Sequence, residues 1–113
     1  MAPRISRQPK RRYRRRTVRV TVDYTTEAGP AADTATTLGA GGLFIETENP
    51  LPKGSRLKMK FRLPGSSYTH EIEGRVCWRK RPEEAGQHAP GMGIEFTDRN
   101  GMVPLARELE TLD

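Results

Sequence analysis

The stretch Arg56-Leu57-Lys58-Met59-Lys60-Phe61-Arg62-Leu63, closed by Pro64-Gly65, alternates cation and apolar residue without a break. A period of two places Leu57, Met59, Phe61 and Leu63 on one face of a strand and the cations on the other, which a helix of 3.6 residues per turn cannot do. Pro64-Gly65 ends the strand, since proline donates no ladder hydrogen bond and the pair favours a turn.

The same period recurs on both sides. Towards the N-terminus, Val18, Val20, Val22 and Tyr24 alternate with Thr17, Arg19, Thr21 and Asp23, giving a first strand. Residues Thr25 to Thr37 hold Gly29, Pro30 and small side chains, a turn leading into a weak threonine-rich strand near Thr34–Leu38 that Gly39, Gly41 and Gly42 punctuate. Leu43-Phe44-Ile45 is a short apolar strand, ended by the turn residues Asn49-Pro50 and Pro52-Lys53-Gly54. Towards the C-terminus, a fifth strand sets Ile72, Val76 and Trp78 on one face with Gly74 between them, against Glu71, Glu73, Arg75, Cys77 and Arg79. A loop rich in charge, proline and glycine covers Lys80–Gly91, and Met92, Ile94 and Phe96 point inward from a sixth strand. As members of alternating strands, Trp78, Phe44 and Phe61 read as core rather than as ligand-stacking residues.

Six short strands with no helix between them predict antiparallel pairing, because parallel neighbours need long crossovers. The expected fold is all-β: a six-stranded antiparallel β-barrel, closed because closure removes exposed edges. Beyond it, Met102, Leu105, Leu109 and Leu112 form one stripe of a C-terminal helix over Asp98–Asp113, with Arg107, Glu108 and Glu110 facing away. Asp98 or Asn100 caps it, and Pro104 is expected in its first turn. The stripe either covers one end of the barrel or pairs with another protein.

At 113 residues the chain is one domain, and 34% apolar against 30% charged residues, with no run near the ~20 apolar residues of a membrane span, argue against a membrane protein. The lone Cys77 has no disulfide partner and no secretory signal is visible, so a cytoplasmic location is expected. His70 and His88 have no serine, cysteine or acidic partner at an interpretable spacing, so no enzyme and no metal site is expected, and both histidines read as surface residues. Charge is uneven. Residues 1–22 carry nine cations and no acid, while the remaining residues hold 11 basic and 14 acidic side chains. Residues 1–10 are expected to form a flexible basic arm and residues 11–113 the single domain. Concentrated arginine suits an anionic partner, since a guanidinium bonds phosphate bidentately and stacks on bases; a solvated tail is the alternative.

Arg11-Arg12-Tyr13-Arg14-Arg15 before a valine strand, Gly41-Gly42-Leu43-Phe44-Ile45, Leu51-Pro52-Lys53-Gly54, Ile72-Glu73-Gly74-Arg75-Val76-Cys77-Trp78 and Pro90-Gly91-Met92-Gly93-Ile94-Glu95-Phe96 together resemble a PilZ domain, over Arg11 to Leu112. The resemblance implies a six-stranded barrel with a C-terminal helix. It also implies a bacterial signalling module, often a receptor for cyclic di-GMP or a small adaptor acting on motility, pilus or polysaccharide machinery. The family's ligand motif has two parts, RxxxR before the first strand and D/N-x-S-x-x-G before the third. Arg11 and Arg15 match the first part, with Arg12 and Arg16 as a second register. In the second part Thr37 stands at the Asp/Asn position and Gly39 at the Ser position, so only Gly42 survives.

A carboxylate accepts from the guanine N1 and N2 hydrogens, whereas threonine offers one short-reaching oxygen and glycine none. Asp33 lies four residues too early, ~13 Å along a strand though on the same face by even offset; Thr34, Thr36 and Thr37 read as β-propensity. The resemblance therefore implies an adaptor with weakened or lost ligand binding that acts through an unidentified protein partner. A functional cyclic di-GMP receptor using the arginine arm is the alternative. A nucleic-acid-binding barrel with Lys58, Lys60, Arg62, Arg75 and Arg79 as its basic surface ranks third, since no outward aromatics are expected for base stacking.

Overall fold

The computed structural model describes residues 15–111, the Arg15 and Thr111 ends included but not the Arg15 side chain. Residues 1–14, and with them the expected arm and Arg11 and Arg12, lie outside the described residues, as does Leu112. Six strands follow in order: β1 Arg15–Thr26, β2 Gly29–Gly39, β3 Gly42–Glu46, β4 Arg56–Phe61, β5 His70–Lys80 and β6 Gly91–Phe96. They close into an antiparallel barrel in the order β1-β2-β3-β6-β5-β4. β1 and β2 are longer than their apolar patterns suggest, because the threonines and alanines of Thr25–Thr37 complete a long hairpin through Gly29, whose φ of 115° suits its tight turn.

The period of two delivers the core. Val22, Ile45, Met59, Ile72, Val76 and Met92 are all buried to 2% exposure or less. The Tyr24 phenol is buried too, and donates to the Asp33 carboxylate at 2.7 Å; burial, and then that bond, push its pKa up. One-residue bulges interrupt the alternation. In β2, Ala35 stands opposite Ile45 and Thr37 opposite Phe44, so Thr36 is extra. Ala35 and Leu38, three apart, are therefore both buried. In β5, Val76 stands opposite Ile94 and Trp78 opposite Gly93, so Cys77 is extra.

That second bulge overturns the core assignment of Trp78. Past Cys77 the parity of β5 reverses, and Trp78 lies outside the barrel at 46% exposure. Phe44 is likewise only half-buried, on the outer face of β3. Phe61, at 3% exposure, is core as expected. The first bulge corrects Asp33 as well. It pairs with inward-facing Val22, on the opposite face from Thr37, and is engaged by Tyr24.

The Lys80–Gly91 segment is not all loop. It contains a single helical turn, α1 Pro82–Ala85, held where the Arg81 backbone N–H donates to Glu84 Oε1 at 2.9 Å. That bond lowers the Glu84 pKa. The C-terminal helix, α2 Arg99–Thr111, packs on β5 with Leu105 and Leu109 buried and Met102 against the core, covering the barrel. Asp98 caps it, accepting from the Gly101 N–H at 3.2 Å. Pro104 lies in the second turn and not the first. Gly101 sits where α2 meets the sheet, and a Cβ there would come within 2.7 Å of the Glu71 carbonyl oxygen.

Glu108 and His70 also depart from expectation. His70 is 1% exposed, its ring 5.7 Å from that of Phe61 and 4.7 Å from that of Tyr68, and its Nε2 meets Glu108 Oε1 at 2.5 Å. Glu108 thus faces the barrel, because a buried imidazole demands a partner. Bonds from Ser66 and His70 lower the Glu108 pKa.

Phe61→Ala is expected to cost ~3–5 kcal/mol in denaturant unfolding, and Trp78→Ala distinctly less, since half of the indole is already in water. Gly101→Ala should destabilise although helix propensity alone favours alanine by ~1 kcal/mol. A raised denaturation midpoint would show that α2 is not seated on β5. Because Glu108 is more acidic folded than unfolded, its carboxylate stabilises the fold above the usual value of 4.5, and this contribution fades as pH falls through the lowered value. Between 4.5 and that lowered value, the stability profile of Glu108→Gln should be flatter than that of the wild type.

Candidate functional site

The β2–β3 hairpin turns through Ala40-Gly41, with Gly39 paired to Gly42 across its base. Arg15 pairs with Gly39 and Arg16 with Leu38, so the chain enters the barrel beside this hairpin. The structure therefore brings the Arg15–Arg16 end of one motif half against the Thr37–Gly42 half. The Arg16 guanidinium donates to the Leu109 carbonyl at 3.4 Å. It supplies the positive charge that the last turn of α2 lacks. Gly42 has a structural reason to be glycine: a Cβ there would overlap the carbonyl oxygen of Ile94 on β6.

From Thr37 a row of directly paired residues crosses the outer wall. Thr17 on β1 pairs with Thr37, Thr37 with Phe44, Phe44 with Gly93 and Gly93 with Trp78. β6 is empty along this row. A Cβ on Gly93 would overlap the indole Nε1, and one on Gly91 would overlap the tip of Phe44. The two rings therefore lie over bare backbone and stack on each other, with centroids 5.3 Å apart and planes 19° from parallel.

A shallow groove of about 410 Å³ runs along them, lined by Thr37, Phe44, Trp78, Lys80, His88 and Ala89. The outward aromatics expected to be missing are thus present, and Lys80 and His88 join them from β5 and the loop after α1. The glycine pair two residues apart in Pro90-Gly91-Met92-Gly93 was the available signal, since glycines in a strand mark close approach by another group. The Cys77 Sγ donates to the Gly93 carbonyl at 3.4 Å.

Of the cations proposed as a basic surface, Arg62 donates to Thr69 Oγ1 at 3.2 Å and the other four also have neighbours. Lys58 pairs with Glu73 and Lys60 with Glu71 across β4 and β5, Arg75 meets Glu95 at 2.9 Å, and Arg79 donates to the Pro50 carbonyl. Among the described residues no group of three or more His, Cys, Asp or Glu could hold a metal, and no helix is long and apolar enough to cross a membrane.

The sequence matches the PilZ domain model over residues 9–109. In structure it is similar to the Bacillus subtilis inhibitor of motility MotI/DgrA, with a TM-score of 0.69 and 19% identity, over 100% of this chain and 58% of that one. It is also similar to Escherichia coli YcgR in complex with c-di-GMP, with a TM-score of 0.71 and 15% identity, over 91% of this chain and 46% of that one. The PilZ domain of CeSA from a cellulose-synthesizing bacterium gives 0.60 and 16%, over 86% and 98%. At these identities the likeness speaks to fold alone, and the chain spans about half the length of the first two. No curated protein matches it.

The glycine floor makes a testable claim. Gly93→Ala should lift the indole off β6, costing ~1–3 kcal/mol by overpacking and shifting the emission of Trp78, the chain's one tryptophan. An unchanged emission spectrum in the folded variant would contradict the placement of the ring.

Proposed function

The chain belongs to the PilZ domain family, and from that premise we propose that it is a non-enzymatic signalling adaptor with a weakened cyclic di-GMP site, working through protein contacts on motility, pilus or polysaccharide machinery. One observation carries this reading. At the hairpin beside the chain's entry into β1, Thr37 and Gly39 hold the two positions where the family places a carboxylate or carboxamide and a serine. Asp33, the nearest acid in sequence, bonds Tyr24 on the other face of the sheet and offers no substitute. A guanine edge bound here leaves N–H donors without acceptors, at ~1–3 kcal/mol for each that is buried. A second reading, a receptor of full strength, draws on the exposed indole at the far end of the same row, which offers a base one stacking face.

Calorimetric titration with cyclic di-GMP separates the two. The adaptor reading expects weak or absent binding by the wild type and a gain of about tenfold, ~1.4 kcal/mol, from Thr37→Asp with Gly39→Ser. Gly39 lies in extended β2 and is not one of the positive-φ glycines Gly29, Gly54, Gly65 and Gly86, so serine is conformationally admissible there. Arg15→Ala in that background should remove the gain. Tight wild-type binding, unaffected by the double substitution, would establish the receptor instead.

A further inference from the structure

Arg16 joins β1 to α2. Its guanidinium donates to the Leu109 carbonyl at 3.4 Å, between residues 93 apart in sequence. That carbonyl is one of the last four of α2, which lack a partner within the helix. The local charge is adverse as well, since Glu108 and Glu110 lie in the last turn and no basic residue does, and carboxylates there oppose the helix dipole. Pro104 removes one ladder bond, the one to Asn100, so the second half of α2 leans less on the first. Glu108 is anchored to His70, which leaves the end beyond it as the part that depends on Arg16.

The β1 side of the contact is lightly held. Arg15, Arg16 and Thr17 pair with Gly39, Leu38 and Thr37 of the hairpin, whereas β4 joins β1 only at Asp23–Thr25. Just past this root the register slips: Val18 and Arg19 stand against Thr36 alone before Val20 pairs with Ala35. The root is therefore a short stretch stitched along one edge and set off from the rest of β1 by a bulge. Strand alternation turns Thr17 to the outer face beside Thr37 and Arg16 the other way, towards α2. Consecutive residues of the root thus meet the hairpin and the helix.

We propose that Arg16 is a positioning residue that latches the last turn of α2 to the root of β1, so that a ligand fixing the root against the Thr37–Gly42 hairpin also tightens the end of the helix. Holding a guanidinium on a carbonyl costs the freedom of the root, and a ligand that has already removed that freedom lowers the cost. The coupling is reciprocal, so the latch favours the ligand by the same factor. The proposal rests on the reading of the hairpin and the adjoining chain as a weakened cyclic di-GMP site, and it names the element that such a site controls. For an adaptor, the end of α2 is then the surface whose order reports occupancy.

Amide exchange followed by NMR at Leu109–Thr111 tests the latch. Cyclic di-GMP is the ligand, and Thr37→Asp with Gly39→Ser is a second background; calorimetry checks occupancy in both. Ligand-free Arg16→Ala is expected to exchange about threefold faster at these amides, as loss of a helix-end charge contact should, and to be unchanged at Met59 and Ile72 in the core. Should Arg16→Ala not fold, Arg16→Gln is read in its place. Occupancy should slow the helix-end amides about threefold when Arg16 is present and leave them unchanged in saturated Arg16→Ala, which should bind about threefold more weakly. Ligand-free exchange in the Arg16 variant equal to wild type overturns the proposal, as does unchanged exchange in an occupied protein that retains Arg16, or absence of binding in both backgrounds. Failure of the weakened-site reading looks different. Tight wild-type binding removes that reading and leaves the latch to the exchange data, whereas unchanged exchange in an occupied protein removes only the latch.

Discussion

Trp78 stands opposite Gly93 while Val76 stands opposite Ile94, and the arrangement of the outer wall hangs on that one-residue slip. A barrel wall is a single sheet, so each side chain goes in or out by parity alone. Inserting Cys77 reverses the parity of β5 and sends the largest side chain of the chain outward instead of into the core. The indole then needs a place to rest. β6 provides it by carrying no side chain at Gly91 and Gly93, so the ring covers backbone that would otherwise meet water. The bulge at Thr36 acts in the same sense on β2, bringing Thr37 onto the outer face in line with Phe44. Two extra residues, on different strands, thus assemble one surface.

The helix α2 obeys a different constraint. Leu105 and Leu109 press on the barrel, but a helix sliding on an apolar surface is poorly positioned by that surface alone. Polar contacts define its place. His70, buried and in need of a partner, fixes Glu108; Gly101 allows contact with the β5 backbone; Asp98 holds the first turn and Arg16 reaches the last. The unpartnered Nδ1 of His70 is the one buried side-chain polar atom without a hydrogen bond among the described residues. A tilted contact with Phe61 and an edge-on contact with Tyr68 surround its ring.

Most of the barrel was legible because alternation is a direct record of burial, and strands β1, β4 and β6 follow it without ambiguity. The misreadings share a physical origin. Bulges leave no mark in apolar periodicity, so Trp78 and Asp33 were assigned by counting through residues where counting fails. His70 and Glu108 were read as solvent-facing because polar residues usually are, and their mutual contact joins segments 38 residues apart, which no local pattern encodes. At the site, the substitutions at Thr37 and Gly39 were plain in the sequence. Lys80 and His88 were not, since what brings them to the groove is the bend of the chain around α1.

Arg16, near the start of the barrel, touches Leu109, near the end of the helix. The chain therefore enters and leaves this domain at one corner. A module whose two ends meet can be spliced into a loop of another protein, or appended to either end, without stretching or threading its own strands. The entry strand also pairs with the Thr37 hairpin, so any neighbour joined at that end sits beside the Thr37–Gly42 turn.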